Sequence, residues 1–148
     1  MNRAILAALL FSATVHAAGP IPNAPFRQDT SDARYANDLD GADRGDQLYA
    51  ARVLLRRVRE SVRVGAGLDV DIGVMEARQR LDDFDKTVAP KCIRLLEGSA
   101  IRRQCARILG FLETASARGP LEVMATQSDR HCDRRAATWA LRRIQDTQ

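Results

Sequence analysis

Leu48, Ala51, Leu55, Val58 and Val62 recur at spacings of three and four residues, which places five apolar side chains on one stripe of a helix about five turns long. The same spacing returns in Val74, Ala77, Leu81, Phe84 and Val88, and again in Ile101, Cys105, Ile108, Leu112 and Ala115. Ala136, Trp139, Ala140, Leu141 and Ile144 supply a last apolar face. No stretch shows sustained strand alternation with β-branched enrichment, although the link around Val70 to Val74 has room for a short strand. The spacing therefore predicts an all-α fold, an irregular antiparallel helical bundle of four to five helices.

Punctuation between the stripes agrees with this reading. Asp46 is placed to cap the first helix, and Gly65 or Gly67 to end it. Asp71 is the expected cap of the second, which Pro90 stops before itself entering the first turn of a short third helix. Gly98 and Ser99 form a corner from which a fourth helix starts near Ala100 and runs to Gly119-Pro120. Leu121, Val123 and Met124 read as a helical turn or linker, and the last helix begins near Ser128 or Asp129.

The N-terminus sets the expected compartment. Arg3 supplies a positive start, Ala4 to Thr14 is apolar, and Val15-His16-Ala17 suits a signal peptidase. Residues 1–17 therefore read as a cleaved signal peptide, since the apolar run is shorter than the roughly 20 residues of a membrane span. Cleavage leaves 131 residues, one domain's worth, in the bacterial periplasm or outside the cell. Residues 18–45 hold three of the five prolines and many aspartates, and read as an acidic flexible leader. Residues 46–148 are the single helical domain.

Export bears on the cysteines, because exported chains form disulfides. Cys92 and Cys105 lie at similar distances on either side of the Gly98-Ser99 corner. Two arms folded back there would bring them level, so a bridge between them is expected. Cys132 could be buried beneath Trp139, exchange with the other two, or link two chains into a homodimer; burial is the expectation.

Charge supplies the remaining candidate. The formal net charge is +4, and Lys86 and Lys91 are the only lysines. Residues 18–46 alone carry −3, from Asp29, Asp32, Asp38, Asp40, Asp43 and Asp46 against Arg27, Arg34 and Arg44. Arg52, Arg56, Arg59 and Arg63 share one helix face, joined by Arg57 and opposed by Glu60. That face is the candidate binding surface, for anionic lipid, an anionic polymer or an acidic partner. The acidic leader, tethered beside it, could lie across it. Nucleic acid is disfavoured by the compartment and by the few aromatics.

Catalytic and cofactor patterns are weak. His131 adjoins Cys132, but neighbours on a helix point about 100° apart, which separates nucleophile from base. One histidine and three scattered cysteines do not make a zinc site, so no cofactor or metal is expected. Glu60-Ser61 resembles the Glu-Ser pair of lytic transglycosylases, without that family's later Gly-Leu-Met-Gln stretch, and no role is carried over. The expected function is non-catalytic: binding an unidentified periplasmic or envelope protein, as an inhibitor, immunity protein or accessory factor does.

Overall fold

The computed structural model describes residues 28–67 and 71–146, with the backbone alone for 28–31. The expected signal peptide at 1–17, the first part of the leader and Val70 lie outside the described residues. Among the described residues the chain is all-α. Seven helices follow in order: α1 Gln28–Asp38, α2 Arg44–Gly65, α3 Ile72–Thr87, α4 Ala89–Arg94, α5 Arg102–Leu112, α6 Arg118–Gln127 and α7 His131–Asp146. A 3-10 turn, Ala115–Ala117, precedes α6. No described helix is long and apolar enough to cross a membrane.

The seven described helices are two more than the upper end of the four to five expected, and both additions have physical causes. The first is α1, in the segment read as a flexible leader. Its composition is too polar to fold alone, but Ala36 and Leu39 are buried and Tyr35 packs edge-on to Tyr49 of α2. Asp32 pairs with Arg57 and with Arg80, the latter at 3.5 Å. Asp40 meets Lys91 at 2.9 Å and Arg94 at 3.2 Å. Ion-pair partners 25 and more residues away thus help hold a segment that local composition would leave loose. The second addition is α6. Gly119-Pro120, expected to stop a helix, instead sits in the first turn of one, where a missing N–H breaks no helical hydrogen bond. The preceding helix had already ended at Glu113, which takes the left-handed conformation at φ 55°.

Among the expected caps and corners, Asp71 and Gly98 act as the sequence implies, and Asp46 does not. Asp71 caps α3 by accepting a 2.8 Å hydrogen bond from Val74 N–H. The cap of α2 is Asp43 rather than Asp46, whose N–H donates to it. Gly98 turns the α4–α5 corner at φ +71°, a conformation that disfavours any side chain.

The core centres on α5, which packs against α2, α3, α4 and α7. Between positions 103 and 110 all residues are buried except Arg103 and Arg107. A helix covered on nearly every side has a single stripe left for its charges. Against α7 the approach is close: a Cβ on Gly110 would fall 2.8 Å from the Ala140 Cα and 2.7 Å from the Trp139 ring. Arg143 of α7 donates to the Gly110 carbonyl at 3.1 Å and to Glu113 at 2.7 Å, clipping the end of α5.

Candidate functional site

The uncovered stripe of α5 faces a groove. Arg103, Arg107 and Phe111 follow at intervals of four along α5, so they stand on one line. Along α7, His131, Arg135, Trp139 and Arg142 form a second line at intervals of four, four and three. These two lines converge with Leu55 and Arg59 of α2 and Ala125 of α6 around a groove of about 1040 Å³. Arg134, Cys132, Ala136 and Thr138 complete the lining.

Six arginines and a histidine therefore share one concavity, and no carboxylate is among the described residues that line it. Arg134 is spoken for: it donates to the Ser128 carbonyl at 2.6 Å and fastens α7 to the end of α6. Arg59, Arg103, Arg107, Arg135 and Arg142 are exposed and make no hydrogen bond or ion pair with any described residue. Confined like charges repel one another, so the fold maintains this cluster against its own electrostatics.

The floor is apolar and stiff. Trp139 and Phe111 meet edge to face with ring centroids 4.9 Å apart, and the Arg143 guanidinium lies over both rings, 5.8 Å and 5.6 Å from their centroids. Leu55, half-buried, adds an aliphatic surface. Chemically, such a groove can bind an anion that also has an apolar side, by charge-assisted hydrogen bonds from the guanidinium groups and desolvation of the rings.

The sequence-derived candidates are dispersed. Arg52, Arg56, Arg59 and Arg63 are all exposed on α2, yet only Arg59 reaches the groove. Arg63 lies 3.9 Å from Glu60. Arg57 turns inward, paired with Asp32 and lying over the Tyr35 ring at 5.2 Å. The acidic segment is held by Arg57, Arg80, Lys91 and Arg94, so its described aspartates do not cover the exposed α2 face.

Cys92 and Cys105 are both fully buried in the same hydrophobic cluster. They stand as two free thiols. The hydrogen bond with Cys105 and the lack of solvent push the Cys92 thiol well above its ordinary range. Cys132, expected to be buried, is exposed, because it lies in the first turn of α7 on the groove side. Among the described residues no group of three His, Cys, Asp or Glu is close enough to hold a metal ion.

Arg103, Arg107, Arg135 and Arg142 went unnoticed in the sequence. Their signal was present as arginines four apart on α5 and seven apart on α7, each opposite a buried stripe. What a single stripe cannot show is that another helix turns its own arginines toward the same space. Comparison of the chain with protein-family models, with curated proteins and with solved structures gives no match.

Proposed function

We propose that this chain is a non-catalytic binding protein of the bacterial periplasm or cell envelope, exported by residues 1–17 and folded as an antiparallel helical bundle, that holds an acidic segment of a partner protein in the arginine groove. The observation that supports this reading is the cluster of arginines over an aromatic floor, without a lining carboxylate among the described residues. A bare polyanion needs only the cations. Trp139, Phe111 and Leu55 add what an acidic protein segment with leucine or phenylalanine side chains would use, a water-excluding patch where tryptophan and arginine commonly dominate binding.

A second reading keeps Arg52, Arg56 and Arg63 as the contact for anionic lipid or polymer, since they are exposed on α2 outside the groove. Calorimetric titration of the full chain separates the two, using three probes: a synthetic peptide rich in Glu and Leu, phosphatidylglycerol vesicles, and a single-stranded oligonucleotide. The groove reading expects the peptide to bind, Arg103→Glu with Arg107→Glu to weaken it about tenfold or more, and Arg52→Ala with Arg56→Ala and Arg63→Ala to leave it in place. Binding of vesicles or oligonucleotide without the peptide would overturn it.

A further inference from the structure

Cys92 and Cys105 belong to one buried cluster that joins α4 to α5. Cys92 sits among Val88, Ala89 and Leu96, Cys105 among Ile101, Ala106, Ile108 and Leu109, and neither sulphur-bearing residue has any exposure. Their helices pack against each other across the corner that Gly98 turns, which encloses both side chains in the same cluster. Cys132 is remote from this arrangement in kind: it is exposed, on the wall of the groove.

We infer that Cys92 and Cys105 are the two ends of one disulfide, closed while the chain is still folding and sealed once α4 and α5 have packed. The reaction is thiol–disulfide exchange with an external disulfide, oxidised glutathione or a dithiol–disulfide oxidoreductase. One cysteine thiolate attacks the oxidant's S–S bond, forming a mixed disulfide and releasing the oxidant's first sulphur as a thiol. The second cysteine thiolate then attacks the protein's own sulphur in that mixed disulfide. The S–S bond forms, the oxidant's second sulphur leaves, and the oxidant has gained two electrons and the two protons that the cysteines lost.

Timing follows from burial. A mixed disulfide needs the oxidant attached to a cysteine sulphur, and a residue with no exposure cannot accept one unless the core opens. The attacking species is a thiolate, which an apolar interior disfavours. The folded, reduced chain is thus a trap: both thiols are enclosed in the core, and neither can meet an oxidant.

Order of addition tests this. Full chain, reduced and unfolded, is refolded either with glutathione disulfide present throughout or with it added after refolding is complete. Thiols are then alkylated in denaturant and the products are located by peptide mass spectrometry. Oxidant present throughout should give a linked Cys92–Cys105 peptide pair, two hydrogens lighter than the free peptides, with Cys132 left for the alkylating agent or glutathione. Oxidant added late should leave Cys92 and Cys105 as thiols and reach Cys132 alone. A bridge involving Cys132, or no bridge in the first arm, overturns the pairing. Equally fast closure in both arms overturns the sealing.

Discussion

Two helices of 11 residues, α1 and α5, are held in this molecule by opposite means. Six residues of α5 are buried, and its contact with α7 is so close that Gly110 has no room for a methyl group. Within α1, Ala36 is the buried residue among those whose side chains are described, and the segment is held by Asp32, Tyr35 and the following Leu39 and Asp40. The difference teaches where each instruction is written. The place of α5 is inscribed in its own apolar residues, whereas that of α1 depends on arginines and a lysine that arrive much later in the chain. A centre of the first kind can keep a strained charge cluster on its surface; a helix of the second kind, whose segment gives the core only Ala36 and Leu39, should open at lower cost than α5.

The sharpest way to break the contrast is at the α5–α7 seam. Gly110→Leu should destabilise the fold by about 4 kcal/mol, above the common overpacking range, because the added side chain meets the Ala140 backbone and not only a movable ring. Urea unfolding measures it, and a loss under about 1 kcal/mol would show that α7 can back away. Next comes Asp133→Ala, also on this seam. The carboxylate is buried and takes a 2.6 Å hydrogen bond from Arg102. Its removal strands a part-buried guanidinium, at a cost of about 3 kcal/mol.

On the α1 side the effects should be smaller and local. Asp32→Ala removes the carboxylate shared by Arg57 and Arg80, for about 1 kcal/mol. Hydrogen exchange should quicken in α1 while the amides of α5 keep their protection. Equal loss in both helices would merge the two regions into one cooperative unit. The smallest effect belongs to Asp40. Its hydrogen bond with Lys91, then the charges of Lys91 and Arg94, outweigh desolvation and hold its carboxyl below the ordinary 3.8. A depressed carboxyl stabilises the fold above its unfolded value and loses that contribution as pH falls through the lower folded one. The loss should therefore come below about pH 4 and, for so exposed a pair, amount to about half a kcal/mol after screening. An NMR titration midpoint for Asp40 at or above 3.8 would contradict it.

The residues that were legible share a property: their effect is local. Asp71 caps α3 using an N–H three positions on, and Gly98 turns a corner through its own backbone. The stripe of Val74, Ala77 and Phe84 went into the core as its spacing requires. The misreadings share the opposite property. Asp32 and Asp40 looked like the mark of a loose leader because Arg57, Arg80 and Lys91 are not neighbours in sequence. Gly119-Pro120 was ambiguous, since the same dipeptide can follow one helix or open the next. The groove was the least legible. Arg59 was visible as part of a basic face, but the face that matters is assembled from α2, α5 and α7, and only packing sets their rotation.

One further property comes from the floor of that groove. Trp139 is the chain's single tryptophan, half-buried between the Phe111 ring and the arginine-lined space. All indole emission of the protein therefore originates at one point, in contact with both the α5–α7 seam and the cavity. A partner that displaces water there should shift that emission to shorter wavelength, and unfolding of the seam should shift it the other way, so occupancy and integrity can be told apart by colour alone, with no label attached.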